Sequence, residues 1–256
     1  MNAVMDAHPA TVIIVIAALM VTPAWFVMTY AMSGASLRKG ITLATAFLLW
    51  GAAMTWFTLA GVSERVEPPL GQLVIPVCWL MPSILLLLTR KHWLSDPLDQ
   101  RWLVGLQLWR AIGGVFLIEM SRGNLPGSFA WPAGVGDLIA AAVAAWVLIV
   151  YRARPIPAGA IILVAVVGIA DFASAFFFGF TSSAGPQQLF AFDNPNRVQE
   201  FPTGLIPLFL VPYAIFFHTL SLACLFRFGV FETTRNQTDV FYSRSRSGDH
   251  ATCPSA

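Results

Sequence analysis

Residues 107–137 read QLWRAIGGVFLIEMSRGNLPGSFAWPAGVGD, which is two apolar runs separated by a Pro/Gly-rich turn. Arg110 lies in the middle of the first run, Glu119 lies near its end, and Asp137 opens the second. Charged side chains within apolar runs must face protein groups or water, because hydrocarbon does not solvate them. Such internal charges indicate where function is expected.

The composition of the chain predicts a membrane protein. Hydrophobic residues make up 57% of the 256 residues and charged residues only 11%, which is too apolar for a soluble domain. A membrane-spanning helix needs about 20 residues, so the length predicts one all-α bundle. The net charge of +2 is too small to indicate a nucleic-acid partner, and none is expected.

Hydrophobic runs predict seven transmembrane helices. Residues 1–8 contain no Lys or Arg, so the first run is expected to be a retained helix instead of a signal peptide. The prediction is a membrane domain over residues 1–228 and a disordered cytoplasmic tail over 229–256. A short surface helix is expected near Leu189 and Phe192. The predicted membrane helices cover about 9–31, 41–62, 70–89, 102–120, 129–151, 157–181 and 204–226.

The basic residues predict the orientation. Eleven Lys and Arg residues fall in the first, third and fifth connections and the C-terminal segment, whereas three fall in the other connections. Cytoplasmic loops of membrane proteins carry the excess of basic residues. The N-terminus is therefore expected outside and the C-terminus in the cytoplasm.

Polar residues within the helices form the candidate binding site. Counting helical rise from the cytoplasmic ends predicts two layers at different depths. The inner layer contains Gln107, Arg110 and His218, and the outer layer contains Glu119, Asp137 and Asp171.

The leading hypothesis is a carrier or ligand-binding membrane protein, and not an enzyme. Asp171 would accept a proton or cation and Arg110 would balance its charge. Alternatively, Arg110 and an acidic residue form a structural pair, as in a non-catalytic sensor or partner subunit. Glu119 is expected to reach the interface or to pair with Arg122.

Gly134-Val135-Gly136-Asp137 resembles the GxGD signature of intramembrane aspartyl proteases, in which two aspartates share a proton and activate water. Asp171 would be the partner of Asp137 in such a hydrolase. However, the second aspartate follows the motif here instead of preceding it. The alternative is that the glycines permit close helix packing while Asp137 caps the N-terminus of its helix.

No cofactor or metal is predicted. His218 is the one histidine within a predicted helix, and no spacing typical of metal ligands is present. A retinal protein needs a lysine in its last helix, whereas Lys39 and Lys91 both lie in loops. The expected partners are the lipid bilayer, a small molecule or ion, and a second copy or another membrane protein.

Four segments in about the second half of the chain carry a resemblance to known proteins. They are LWRAIGGVFL at 108–117, the turn at 124–137, FGFTSSAGPQQLFAFDNPN at 178–196 and FPTGLIPLFLVPYAIFFHTLSL at 201–222. Together they resemble a family of small bacterial multi-pass membrane proteins without an assigned activity. The resemblance implies a protein of the bacterial inner membrane and nothing about chemistry.

Overall fold

The computed structural model describes residues 4–62 and 70–229, and it confirms the predicted all-α architecture. Within these residues, regular structure is helical apart from a single bridge between Val4 and Phe201. The α-helices are α1 (Pro9–Met32), α2 (Leu37–Leu59), α3 (Leu70–Leu88), α4 (Arg90–Trp93), α5 (Gln100–Gly105), α6 (Val115–Ser121), α7 (Gly127–Val150), α8 (Ala158–Ser182) and α9 (Val211–Phe228).

Six helical segments of the described chain are long and apolar enough to cross a membrane. They are Pro9–Met32, Leu37–Leu59, Gln100–Ser121, Gly127–Val150, Ala158–Ser182 and Ile206–Phe228. The third predicted membrane helix, at about 70–89, corresponds to α3 and is not among these six. Its apolar part, Ile75–Leu88, is shorter than the six segments. The predicted turn between α2 and α3 and the predicted tail beyond Gly229 lie outside the described residues.

Two of the long segments are not regular α-helices throughout. In Gln100–Ser121, a 3₁₀ helix at Leu106–Gly114 separates α5 from α6. A π-helical turn, Ile206–Leu210, precedes α9, and Pro207 and Pro212 lie at the starts of the turn and of α9. A proline lacks the backbone donor of a regular helix, so prolines favour an irregular start here.

The segment Ile206–Phe228 is the most buried of the six and lies at the centre of the bundle. Phe26 of α1 and Phe47 of α2 pack their rings against Tyr213 and Phe216 of α9, with ring centroids 5.2–5.4 Å apart. Edge-to-face contacts of this kind fill the space between helices while pairing ring edges with ring faces. These ring contacts hold α1 and α2 against α9.

Residues 183–204 form an irregular connection, so the predicted surface helix near Leu189 and Phe192 is wrong. The carbonyl of Thr181 accepts hydrogen bonds from the amides of both Leu189 and Phe190, which turns the chain back over the end of α8. Ala191 has a φ of 58°, which interrupts any regular helix.

This connection is also tied to the other segments at its end of the bundle. The Met5 amide donates to the Phe201 carbonyl at 2.9 Å, and Asn194 donates to the Gly123 carbonyl at 3.1 Å. The N-terminal segment, the turn at 121–126 and the connection 183–204 together close that end.

Candidate functional site

Arg110 binds two aspartates on two other helices. Its Nε donates a hydrogen bond of 2.8 Å to Asp137 Oδ1 on α7, and its Nη2 donates to Asp171 Oδ2 on α8. The Arg110 side chain is fully buried, and those of Asp137 and Asp171 are only 11% and 7% exposed. With one cation and two carboxylates, this charged cluster has a formal net charge of −1.

The two aspartates approach the same edge of the guanidinium group. Nε and Nη2 flank that edge, and their N–H bonds point in parallel directions. A single carboxylate usually supplies both acceptor oxygens, whereas here Asp137 and Asp171 supply one each. The two carboxylates therefore lie next to one another as well as next to Arg110.

The 3₁₀ helix sets the direction of Arg110. Residues three positions apart lie above one another in this helix, so Gln107, Arg110 and Gly113 share one face. All three are buried, and a Cβ at Gly113 would overlap the carboxylate of Asp137. Gly113 thus leaves the room in which Asp137 reaches Arg110.

Two further glycines make room for the same charged cluster. A Cβ at Gly136 of α7 would overlap Oδ1 of Asp171, and one at Gly168 of α8 would overlap His218 Nε2. The latter Cβ would also lie 2.8 Å from Arg110 Nη1. Each of the three helices that supply a charged residue therefore also supplies a glycine beside a polar side chain.

Phe172 covers one face of the guanidinium group. The Cζ atom of Arg110 lies 3.9 Å from the ring centroid of Phe172, a cation–π contact within the bundle. The Phe172 ring in turn packs edge-on against His218, with 6.4 Å between ring centroids. Phe172 thus links the charged cluster to His218 and to the hydrophobic core.

Several buried polar atoms at this cluster have no hydrogen-bond partner among residues 4–62 and 75–229, whose side chains the structure describes. They are Arg110 Nη1, Asp171 Oδ1, His218 Nε2, and both amide atoms of Gln107. A buried polar atom without a partner costs about 1–3 kcal/mol, so such atoms favour a site that takes a polar ligand or water.

A small, partly open cavity of about 50 Å³ adjoins the charged cluster. Asp137 and Asp171 are the charged residues of its wall. Its aromatic wall residues are Trp79, Phe116, Phe129, Phe172, Phe176 and Phe180, and Ser183, Val198 and Gln199 close it from the connection 183–204. Carboxylates within an aromatic enclosure are suited to a positively charged, partly apolar ligand.

The predicted separation into two polar layers is wrong for the central residues. Arg110 spans the expected gap, because its long side chain reaches both Asp137 and Asp171. His218 lies beside Gly168 and Phe172, close to the same cluster. Gln107 is buried on the Arg110 face of the 3₁₀ helix but does not line the cavity.

The predicted role of Asp137 as a helix cap is also wrong. α7 begins at Gly127 after Pro126, which places Asp137 ten residues into the helix, roughly 15 Å from its start. The expected close packing of the motif's glycines is observed at Gly134, where a Cβ would lie 2.9 Å from Leu117 Cγ.

Glu119 belongs to a different cluster, in which it does not pair with Arg122. Its Oε1 accepts hydrogen bonds from Thr11 Oγ1 at 2.5 Å and the His8 amide at 2.9 Å, while Oε2 accepts one from Asn124 at 2.7 Å. Glu119 is fully buried, so it does not extend to the surface. The nearest carboxylate oxygen to Arg122 is that of Asp6, at 4.0 Å.

Sequence reasoning missed Phe172 and the glycines Gly113 and Gly168, and it identified Gly136 only as a glycine for helix packing. Phe172 directly follows Asp171, and each glycine lies within an apolar helix, where glycine is unfavourable unless a neighbour needs the space. That cost is the signal that marks close approach at these positions.

No curated protein sequence and no solved structure matches this chain. The model of a domain of unknown function, DUF8737, matches residues 67–226, which include every residue of the charged cluster. The expected membership in a family without an assigned activity is confirmed, and the chain belongs to the DUF8737 family.

Proposed function

We propose that this protein is a carrier that binds a small positively charged molecule or ion at Asp137 and Asp171 and exchanges it for protons. The single observation that carries this proposal is the ratio of two buried carboxylates to one buried guanidinium, beside an aromatic cavity. A buried group of net charge −1 is stabilised by one further positive charge. A proton and a cationic ligand both supply that charge, and each competes with the other.

The proposal includes seven membrane helices, which are the six long apolar segments and α3. Its 19 residues reach about 28 Å, close to the thickness of the hydrocarbon layer. The basic connections meet at one end of the bundle, where Arg101 donates hydrogen bonds to the carbonyls of Arg152 and Arg154. We place this end in the cytoplasm and the N-terminus outside, in the inner membrane of a bacterium.

The hydrolase alternative, using Asp137 and Asp171, fits the geometry less well. An aspartyl dyad activates a water molecule between its carboxylates while sharing one proton. Here both carboxylates direct an oxygen to the Arg110 guanidinium, which favours binding of charge over general acid–base catalysis. In the sensor or partner-subunit alternative the buried charges only fix helix packing, so Asp171→Asn should mainly lower stability there.

The first experiment measures charge selectivity on purified protein in lipid nanodiscs. The probes are benzyltrimethylammonium, benzyl alcohol and benzoate, which share an aromatic ring but carry positive, zero and negative charge. We expect only the cation to bind in calorimetry and to raise the thermal unfolding midpoint. Asp171→Asn should abolish this binding, whereas Asp6→Asn, at a fully exposed loop residue, should not. Equal binding of all three probes, or full binding by Asp171→Asn, would contradict the proposal.

Transport is tested separately in proteoliposomes that contain a pH-sensitive dye. An inward gradient of benzyltrimethylammonium should drive proton efflux from vesicles with the natural protein and not from vesicles with Asp171→Asn. Binding without proton movement would favour a ligand-binding membrane protein over a carrier.

A further inference from the structure

Asp171 lines two separate spaces. Besides the aromatic cavity, it lines an open groove of about 500 Å³ between α7 and α8. The other groove residues are Trp131, Pro132, Val135, Gly136, Ile139, Val167 and Ser174. Asp171 therefore stands between the interior of the bundle and the outer surface of two helices.

The free oxygen of Asp171 is the one on the side of this groove. Its Oδ2 is bound by Arg110, whereas Oδ1 lies against Gly136, which lines the groove and not the cavity. Oδ1 has no hydrogen-bond partner within the described residues, although the Asp171 side chain is only 7% exposed. A side chain at position 136 would fill this space.

The groove opens at a depth where the surroundings are hydrocarbon. Asp171 is the fourteenth of 25 residues in α8, about 20 Å from the first residue and about 16 Å from the last. The outward side chains beside it are apolar, including Trp131, Ile139 and Val166, which are 57%, 53% and 58% exposed. Apart from Asp137 and Asp171, neither helix contains a charged residue.

We propose that the groove between α7 and α8 is a lateral entrance through which an amphipathic amine reaches Asp171 directly from the bilayer. This inference rests on the proposed function and names its ligand class as a protonated amine on an apolar body. The apolar part matches the groove walls, and the ammonium group matches the free carboxylate oxygen. An ion without an apolar body has no route through hydrocarbon at this depth.

The route is tested by labelling Asp171 with carbodiimides, which react with the protonated carboxyl group. Protein in nanodiscs is treated with either lipid-soluble dicyclohexylcarbodiimide or a water-soluble carbodiimide, and the modified residue is identified by mass spectrometry. We expect labelling of Asp171 by the lipid-soluble reagent and not by the water-soluble one. Equal labelling by both reagents, or by neither, would overturn the lateral route.

Neighbouring tryptophan substitutions provide a matched control. Ser174 lines the groove and Ala173 does not, although Ala173 is exposed on the same helix. Ser174→Trp should slow labelling at least about tenfold because the indole fills the groove, whereas Ala173→Trp should not. Ile139→Trp is a second variant that fills the groove from α7. Unchanged labelling in folded, monodisperse protein of either groove variant would overturn the route.

Protection by an unreactive cation separates the route from the proposed function. Octyltrimethylammonium should slow labelling of Asp171, whereas octanol and octyl sulfate should not. If the lipid-soluble reagent labels Asp171 and octyltrimethylammonium gives no protection, the entrance stands and cation binding is overturned. If octyltrimethylammonium protects but the water-soluble reagent labels Asp171 equally fast, cation binding stands and the lateral entrance is overturned.

Discussion

Glu119 and the pair Asp137 and Asp171 are carboxylates buried in the same bundle, but their surroundings differ. Each oxygen of Glu119 accepts at least one hydrogen bond from a neutral donor, and Glu119 lines neither the aromatic cavity nor the α7–α8 groove. The aspartates share one guanidinium and line a cavity, and Oδ1 of Asp171 has no partner within the described residues. Depth alone therefore does not distinguish a structural charge from a candidate binding charge, whereas the number of unpartnered atoms does.

The largest effect is expected from Arg110→Leu. Removing one partner from a buried ion pair leaves uncompensated charge and costs about 3–5 kcal/mol. We expect little monodisperse protein in size-exclusion chromatography and a strongly lowered thermal midpoint. Arg122→Leu is the control, because that side chain is 41% exposed and its nearest carboxylate oxygen lies 4.0 Å away.

A neutral version of the charged cluster sharpens this prediction. Combining Arg110→Leu with Asp137→Asn and Asp171→Asn removes all three charges together, and most of the lost stability should return. Cation binding should remain absent in this triple variant. A triple variant as unstable as Arg110→Leu would mean that lost packing of Arg110, instead of unpaired charge, causes the instability.

The second-largest effect is expected at Glu119, whose replacement should lower stability but leave cation binding unchanged. Glu119→Leu leaves the His8 amide, Thr11 hydroxyl and Asn124 amide without their acceptor, at an expected cost of about 2–3 kcal/mol. Glu119→Gln should cost less, because its amide still accepts a hydrogen bond. Benzyltrimethylammonium affinity, measured by calorimetry on the folded fraction, should remain unchanged in both variants. A loss of affinity would place Glu119 in the binding site after all.

The third-largest effect is expected from a methyl group added at Gly113, and the adjacent Gly114 provides the control. A Cβ at Gly113 would overlap Asp137, whereas one at Gly114 meets nothing within 4 Å. Overpacking of this kind typically costs about 1–3 kcal/mol, so Gly113→Ala should lower the thermal midpoint and weaken cation binding. Gly114→Ala should do neither. Similar behaviour of the two variants would show that Asp137 can move without losing Arg110.

The helices were predictable from sequence because long apolar runs fix their existence and approximate ends. Arg110 and Asp171 were identified as site residues because charge is unfavourable within apolar runs. Their meeting with Asp137 was not predictable, because helical rise measures backbone depth and an arginine side chain reaches well away from its own backbone. The 3₁₀ geometry of residues 106–114 was also missed, since apolar composition does not distinguish it from α-helix.

The smallest effect is expected at Gln107, where the two interpretations of a buried polar residue diverge. Neither amide atom has a hydrogen-bond partner in the described chain, and the side chain is almost fully buried. Replacing an unsatisfied amide with an apolar side chain removes its desolvation cost, so Gln107→Leu should raise stability by up to about 1 kcal/mol. Because Gln107 does not line the cavity, cation affinity should be unaffected. A lower thermal midpoint together with weaker binding would instead show that Gln107 hydrogen-bonds to water or to the ligand beside Arg110, as expected if all buried polar residues of this face serve the site.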